Sequence, residues 1–486
     1  MNQYGYYNYQ NAPKGWDHFD GLMDPYTYIY NTPVFSANGE RPRFYQGQHQ
    51  TDVIRAKSVD HLKKLLANPD QPWFLEVAGV APHQQFNGSG MWPPVAATRH
   101  HDLFPGLKAP RTPNFNPPDE LHNKPSWVGE LPRMDEETIA FSDETYRRRA
   151  QSIVGLNEMF HHLLDILEEA GELENTYIIT SSDHGYHVGQ HRVAAGKLLP
   201  YKEDTHVPFI IRGPGIPKGQ STKLPSSHID IAPTLLTLVG LDEKKWPSFL
   251  DGRDLSAYWN GDSEKLTPAP ETVNIEFWGG GMIEKSTKMR FDSRNTYKTV
   301  RIVGEGYAYL YSHWCTNETE LYDTTADPYE LTPVPYSVNP RLHNRLNGLL
   351  LTTKGCSKDS CRNPWATLHP DGSVANLVQA LDERHEALYQ SFPKVAFKEC
   401  LGYLLEENEA PFNPPVVEFG TRHRNKAATD GLFRGSGGGA NVQEVGHFGD
   451  AYQPLEVIEK NARFLTDAEL GANGRMPWED MANKEL

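Results

Sequence analysis

Three side chains within one short stretch could hold a metal ion and an anion together. Asp183 and His184 are adjacent, and Lys197 follows on the polar loop that comes after them. A carboxylate beside an imidazole can coordinate a divalent metal ion, and a lysine ammonium can neutralise an anionic group. The pattern therefore predicts a site at which a cation and an anion lie close to each other.

The elements around this stretch place it at one edge of a sheet. A run of mostly β-forming residues at 177–180 leads into the Asp-His pair, and an apolar run at 207–211 follows the loop. Helical periodicity over 142–170, with Gly171 at a favoured C-cap position, comes just before the first strand. In open α/β sheets ligands bind outside the carboxyl ends of strands, so chemistry is expected here.

The region upstream should deliver a second group of polar side chains to the same edge. A helix is predicted near residues 52–67, and residues 73–80 are typical of a strand that carries His83 just beyond its carboxyl end. The Pro- and His-rich stretch 84–133 is predicted to be a long loop over this end of the sheet. Loops of that length inside a domain are usually functional or disordered.

The chain divides into three parts by composition and periodicity. Residues 1–280 form the main α/β part, and a strand at 272–277 is predicted to complete it. Residues 281–425 are predicted to form a smaller α+β domain that includes an antiparallel hairpin over 297–314. Residues 426–486 are polar and contain a Gly-rich run, so a loosely ordered tail is predicted.

Several longer motifs carry a family resemblance. They are WDHFDGLMDPYTY near the start, APH at 81–83, the stretch 177–214, SSHIDIAPTLLTLVG at 226–240 and TNETELYDTTADPYEL at 316–331. Together they resemble the sulfatases of the alkaline-phosphatase superfamily, and in particular the fungal arylsulfatase and N-acetylglucosamine-6-sulfatase-like branch. The resemblance implies an α/β sandwich with a mostly parallel central sheet, a smaller C-terminal α+β domain, and a sulfuric ester hydrolase.

The resemblance also implies roles for the predicted site residues. Asp183 and His184 match the family's metal-binding pair, for which Ca²⁺ is expected, although two donors alone imply a weak site. Lys197 matches the catalytic lysine that contacts the sulfate and the leaving group. His83 matches the catalytic histidine that binds sulfate and assists protonation of the leaving group, a task that suits an imidazole.

Two further residues are implied to touch the substrate. Gln190 and His191 belong to a GQHR turn that helps to shape the site in the family. With the four residues above, they would surround a small sulfated substrate. We expect Asp183, His184, Lys197 and His83 to converge around one anion-sized hollow.

The family's nucleophile is missing from the 486 residues. Sulfatases of this kind use a formylglycine made from the Cys or Ser of a C-x-P-S-R-like motif, and none of the four cysteines fits it: Cys315, Cys356, Cys361 and Cys400. No serine lies in an equivalent setting. The resemblance implies that the N-terminal strands, the first Asp pair and the nucleophile helix are absent, with Met1 falling after them. The chain as written is therefore expected to be inactive alone and poorly soluble, because a lost central strand exposes buried edges.

Charge and composition exclude some classes of partner. The formal net charge of −16 argues against general binding to nucleic acid or to an anionic membrane, since both favour basic surfaces. No apolar run is long enough to predict a membrane span, and the start of the chain has no signal-peptide pattern. The chain as written is thus nominally cytoplasmic, whereas members of the family are usually secreted or lysosomal/vacuolar. The sequence does not indicate an oligomeric state.

Some features favour a secreted glycoprotein. Asn87 and Asn317 each begin a triplet that fits N-glycosylation. Cys356 and Cys361 could close a small loop and leave Cys315 to pair with Cys400. Four cysteines allow three pairings, and four buried thiols are an equal alternative.

Two other functions are compatible with the same residues. The chain could be a non-catalytic pseudo-sulfatase that still binds sulfated ligands. It could also be a phosphodiesterase or phosphonate hydrolase of the same superfamily, which would need further Asp and His ligands for a second metal ion. The loop that carries Lys197 favours the sulfatase reading.

Overall fold

The structure is a computed structural model that describes most of the chain. It covers residues 4–86, 90–118, 121, 123–261, 270–283, 290–414 and 452–472. The glycosylation candidate Asn87 and most of the predicted tail lie outside the described residues.

Helices and strands alternate along these residues. The helices are α1 (Gln50–Leu66), α2 (Glu136–Glu169), α3 (Lys202–Thr205), α4 (Ile231–Leu238), α5 (Ser256–Trp259), α6 (Pro340–Thr353), α7 (Asp359–Arg362), α8 (Pro364–Leu368), α9 (Leu377–Ala380), α10 (Glu386–Ser391), α11 (Leu455–Asn461) and α12 (Asp467–Ala472). The strands are β1 (Asp20–Leu22), β2 (Val34–Ala37), β3 (Arg43–Phe44), β4 (Gln85–Phe86), β5 (Met91–Trp92), β6 (Ile178–Ser181), β7 (Phe209–Arg212), β8 (Thr272–Phe277), β9 (Gly281–Ile283), β10 (Arg290–Asp292), β11 (Tyr297–Gly304), β12 (Tyr307–Trp314), β13 (Thr319–Asp323) and β14 (Arg463–Phe464).

The long helix α2 packs against α1, and both helices were predicted. Asp135 caps the start of α2 by accepting a hydrogen bond from the Thr138 backbone N–H at 2.8 Å. Gly171 ends it with a φ of 72°, a left-handed conformation in which glycine is unstrained. At the crossing with α1, Gly155 leaves room for Thr51, whose side chain would lie 3.2 Å from an added Cβ. The helix pair forms one wall of the main part.

Strands β6 and β7, also predicted, form a two-stranded antiparallel ribbon. Residues 73–80, predicted as a strand, belong to no sheet. Their Trp73 and Leu75 side chains instead pack on the apolar cluster that α2 forms with α1. All ladders between the described strands are antiparallel, which differs from the predicted mostly parallel central sheet. The backbone at 73–80 is extended but has no neighbouring strand among the described residues.

The C-terminal part contains a four-stranded antiparallel sheet in the order β13-β12-β11-β8. Its central pair is the predicted hairpin, and Gly306 in the turn has a φ of 81°. Helix α6 covers the sheet through fully buried leucines, among them Leu346, Leu349 and Leu350. The strand at 272–277 corrects a prediction: it pairs with β11 rather than completing the main domain. The sheet of this second part thus begins before the predicted boundary at 280.

Residues 452–472 also differ from the predicted loosely ordered tail. Helix α11 packs on α1 with Ile458 buried, and β14 pairs with β3. The Arg43 guanidinium lies 2.8 Å from the Glu459 carboxylate. These contacts attach this stretch to the N-terminal hairpin, because its apolar side chains fill a gap beside α1.

The structure contains two disulfides, one between cysteines close in sequence and one between distant cysteines. Cys356 pairs with Cys361 and Cys315 pairs with Cys400, so the alternative of four thiols is wrong. The second bond ties the end of β12 to residue 400. Within the described part of the chain, no helix has both the length and the apolar character needed to cross a bilayer.

Candidate functional site

The carboxyl end of β6 brings the first three predicted site residues together. The His184 Nδ1 donates to the Gly185 carbonyl oxygen at 2.8 Å, which leaves Nε2 as the acceptor. The Lys197 Nζ lies 2.9 Å from that Nε2 atom. The Asp183 carboxylate is 3.3 Å from the same nitrogen and its side chain is 84% exposed. An imidazole, an ammonium and an open carboxylate therefore meet at this edge.

The loop that carries Lys197 is fixed on both sides of that residue. The backbone of His187 exchanges hydrogen bonds with Gly196 at 2.9 and 3.2 Å. The His187 Nδ1 donates to the buried Asp204 carboxylate at 2.7 Å, and the other Asp204 oxygen accepts from the Leu199 N–H at 2.8 Å. The buried Asp204 carboxylate thus holds two segments of the loop, one at His187 and one at Leu199. This fixes the position of the Lys197 ammonium.

Gly185 and Gly196 are required by close approaches in this loop. Gly185 packs directly against α3. A Cβ on this residue would lie 1.9 Å from the Glu203 carbonyl oxygen. Gly196 has a φ of 153°, and its Cβ would lie 2.8 Å from the His187 ring. Larger residues would push the loop away from the end of β6.

The C-terminal part also supports the lysine loop. The Asn295 amide donates to the Leu198 carbonyl oxygen at 2.8 Å. The indole N–H of Trp127 in turn donates to the Asn295 side-chain oxygen at 2.8 Å. Trp127 and Asn295 are both buried, so the residue next to Lys197 is anchored from a separate element.

His83 lies in the same cluster. Its ring stacks on Tyr28 with the centroids 4.3 Å apart, and its Nδ1 donates to the Gln84 carbonyl oxygen at 2.7 Å. The Tyr30 hydroxyl donates to the His83 carbonyl oxygen at 2.7 Å. Burial and then the positive charge of Lys197 lower the pKa of His83 to about 4. The charges of Lys197 and His184 both act on this ring, so His83 lies near these two residues.

Arg149 is a member of the cluster that the sequence analysis missed. From α2, its Nη1 donates to the Pro82 carbonyl oxygen at 2.9 Å, and its guanidinium lies 4.0 Å from the Tyr186 ring centroid. Its charge also contributes to the low pKa of His83. It is one of three consecutive arginines on a long helix, a pattern typical of a solvated face, so no local signal marks it.

The site is cationic at neutral pH although the whole chain is acidic. Burial and the charge of Lys197 lower the pKa of His184 as well, so both imidazoles are neutral near pH 7. The positive charges come from Lys197 and Arg149, and the one carboxylate of the cluster is that of Asp183. Two cations beside two neutral imidazoles form an environment suited to an oxyanion.

Comparison with known proteins identifies the family. The family model described as Sulfatase matches residues 1–241. Sulfatase ppz1 of Metarhizium majus (strain ARSEF 297) is 36% identical to this chain over 402 residues, which cover 81% of this chain and 87% of that protein. The chain belongs to the sulfatase family. The resemblance inferred from the motifs is thereby confirmed.

Other relatives of this sulfatase are similar over most of its length. An arylsulfatase of Volvox carteri is 37% identical over 84% of this chain. The match spans 66% of that algal protein, a little less than two thirds of its length. The N-acetylglucosamine-6-sulfatase of Homo sapiens is 30% identical, covering 75% of this chain and 67% of the human protein.

A solved structure supports the predicted α/β sulfatase fold. BT4656, in complex with its substrate D-glucosamine-2-N,6-O-disulfate, aligns with a TM-score of 0.55 at 22% identity. The alignment covers 70% of this chain and 76% of that one. The fold class predicted from the motifs is therefore confirmed at the level of architecture.

The sulfatase family uses a divalent cation, for which Asp183 and His184 at the end of β6 were the predicted ligands. Asp183 offers exposed oxygens, but the His184 Nε2 faces the Lys197 ammonium at 2.9 Å. Ca²⁺ takes six or more oxygen ligands. Neither of the two groups of three or more potential ligands found among the described residues includes Asp183 or His184. The residues present therefore do not form a calcium site by themselves.

Gln190 and His191, predicted to touch the substrate, are placed inside the loop. Gln190 is 5% exposed and its side-chain oxygen accepts from the Val188 N–H at 2.7 Å. His191 is 1% exposed and its ring lies 4.2 Å from the ring of Tyr201. Burial lowers the pKa of His191 well below its usual value. Both side chains are thus used to shape the turn.

Asn317, the glycosylation candidate that lies within the described residues, makes hydrogen bonds to the backbone. Asn317 is exposed, and its side chain pairs with the backbone of Phe397. Its amide donates to the Phe397 carbonyl oxygen at 2.9 Å, and its oxygen accepts from the Phe397 N–H at 2.9 Å. Modification of this amide remains a prediction.

Proposed function

We propose that this chain provides the sulfate-binding face of an arylsulfatase-like sulfuric ester hydrolase. The observation that carries the proposal is the 2.9 Å approach of the Lys197 ammonium to the unprotonated Nε2 of His184, with His83 in the same cluster. This is a cationic hollow built on fixed elements. A small sulfated molecule is the partner that fits its charge.

Each residue would have a defined task. Lys197 would neutralise the sulfate and place a proton donor near the leaving oxygen. His83, whose Nδ1 is held by Gln84, would present Nε2 to the anion and take up a proton as the anion binds. Arg149 would add a second positive charge and hold the segment that carries His83.

Binding and turnover would be separate properties of this chain. The 486 residues contain no Cys or Ser in the family's nucleophile motif. We therefore propose that the chain alone binds a sulfate ester without hydrolysing it, as a pseudo-sulfatase would. The two disulfides favour an oxidising compartment, in line with a secreted or lumenal protein.

The experiment compares Lys197→Gln with Lys202→Gln, a control at the start of α3 whose residue is exposed. Binding of 4-nitrophenyl sulfate to the purified chain would be measured by calorimetry, with release of 4-nitrophenol followed in parallel. A charged hydrogen bond contributes about 1.5–3 kcal/mol, so Lys197→Gln should weaken binding by about 10- to 150-fold. Lys202→Gln should bind as the native chain does, and neither should release product.

Two outcomes would contradict the proposal. If Lys197→Gln and the native chain bound 4-nitrophenyl sulfate with equal affinity, Lys197 would not be part of the binding site. Metal-dependent release of 4-nitrophenol by the native chain would show that it is not limited to binding. Tighter binding of 4-nitrophenyl phosphate than of the sulfate would favour the phosphodiesterase or phosphonate hydrolase alternative.

A further inference from the structure

A second cluster of potential ligands lies on the N-terminal hairpin, apart from the end of β6. Asp20 on β1 is contacted by two histidines that come from different elements. The His18 Nε2 and the His61 Nε2 each lie 2.9 Å from the same Asp20 oxygen, Oδ2. The three ligand atoms lie within 4.8 Å of one another. Two imidazole nitrogens and one carboxylate oxygen therefore point at one small volume.

The carboxylate in this cluster is held in its charged form. The Lys57 ammonium lies 2.8 Å from Oδ1, the Asp20 oxygen that the histidines do not contact. Lys57 and His61 are one helical turn apart on α1 and face the same carboxylate. Oδ2 is thus an ionised ligand whose partner oxygen is already occupied.

The spacing of the ligand atoms is close to that of a tetrahedral metal centre. Zinc bonds to imidazole nitrogen and carboxylate oxygen measure about 2.0–2.1 Å, which puts neighbouring ligand atoms roughly 3.3 Å apart. The two observed nitrogen–oxygen distances of 2.9 Å need to open by only a few tenths of an ångström. The two imidazole ring centroids are 3.8 Å apart, so the rings already lie side by side.

Solvent can reach one side of this cluster. The His18 side chain is 41% exposed, whereas those of Asp20 and His61 are 15% and 19% exposed. An ion could enter past His18 and keep a water molecule as its fourth ligand. We propose that His18, Asp20 and His61 bind a borderline divalent transition-metal ion such as Zn²⁺, in a site separate from the sulfate-binding face.

The chemistry of the ligands distinguishes this ion from calcium. Two of the three ligands are imidazole nitrogens, which suit Zn²⁺, whereas Ca²⁺ requires a shell of oxygens. Both histidines must be unprotonated at Nε2 to coordinate the ion.

The test is the stoichiometry of Zn²⁺ binding by the full chain, measured by equilibrium dialysis with ZnCl₂ alone at pH 7.5. The native chain should bind one equivalent of Zn²⁺, and His18→Gln and His61→Gln should lose it. The control His228→Gln, which removes an exposed histidine elsewhere, should keep it. Asp183→Asn should keep that equivalent, and excess Ca²⁺ should not displace it. Co²⁺ in place of Zn²⁺ should give the visible absorption of a four-coordinate ion in the chains that keep the equivalent, and not in His18→Gln or His61→Gln.

Because the His18 side chain is 41% exposed, its replacement should leave the circular dichroism spectrum of the metal-free chain unchanged, which shows that the variant is folded. Retention of the bound equivalent in both His18→Gln and His61→Gln would overturn the proposal and leave a hydrogen-bonded cluster only. Loss of the equivalent in Asp183→Asn but not in His18→Gln would also overturn it, because the ion would then belong to the end of β6.

Discussion

At the residue scale, the site divides into members that the sequence reveals and members that only folding brings in. Asp183, His184 and Lys197 lie within one contiguous stretch whose chemistry is recognisable along the chain. Arg149 has no such local signal, because it joins the site by crossing from α2 to the Pro82 carbonyl oxygen. His191 shows the opposite case: its residue type fits a ligand-binding role, yet its ring is buried against Tyr201.

The contribution of Arg149 can be tested by Arg149→Met, which keeps the bulk of the side chain and removes its charge. The pKa of His83 should rise from about 4, because one of the charges that lower it is removed. Sulfate should bind about tenfold more weakly, the equivalent of about 1.4 kcal/mol. Nuclear magnetic resonance titration of the His83 ring measures the first effect and calorimetry the second.

The matched control is Arg148→Met at the neighbouring position, where the guanidinium pairs with Glu144 at 2.7 Å on the same helix. It should leave both quantities unchanged. If Arg148→Met shifted the His83 pKa as much as Arg149→Met did, a general change in surface charge would explain the effect instead.

At the element scale, helices and the hairpin could be predicted because their signals are local. The periodicity that predicts α2 and the turn glycine of the β11–β12 hairpin both depend on neighbours in sequence. The partner of a strand is not local, which is why the strand at 272–277 was assigned to the wrong sheet and residues 73–80 joined none. A strand pattern predicts extended backbone, whereas a sheet depends on what lies beside it.

Gly185 tests how closely the loop after β6 must pack against α3. Gly185→Ala should lower the free energy of unfolding by about 1–3 kcal/mol, because the new methyl group would meet the Glu203 carbonyl oxygen at 1.9 Å. It should also weaken sulfate binding, since His184 would be displaced from Lys197. Urea unfolding and calorimetry would measure the two effects.

Gly106→Ala is the control, because an added Cβ there meets nothing within 4 Å. It should be neutral in both measurements. A Gly185→Ala chain as stable as the native one would show that this loop can move away from α3 without cost.

At the scale of the whole molecule, a chain with a net charge of −16 brings two cationic side chains, Lys197 and Arg149, to the end of β6 and the segment that carries His83. Because local charge rather than net charge decides which ligand binds, Lys197 and Arg149 can favour an anion there even though the Asp183 carboxylate lies beside them. The sulfatase family and its α/β architecture were predictable from motifs spread along the sequence. The docking of residues 452–472 on α1 was not, because it depends on a surface built from distant segments.

The central claim is that His83 and Lys197 share one anion-binding hollow, and the pKa of His83 tests it most directly. The native chain would be titrated by nuclear magnetic resonance with and without saturating inorganic sulfate. A bound anion stabilises the imidazolium, so the pKa should rise from about 4, and sulfate affinity should increase as the pH falls toward that value. A His83 pKa that is the same with and without sulfate, while sulfate is bound, would contradict the account.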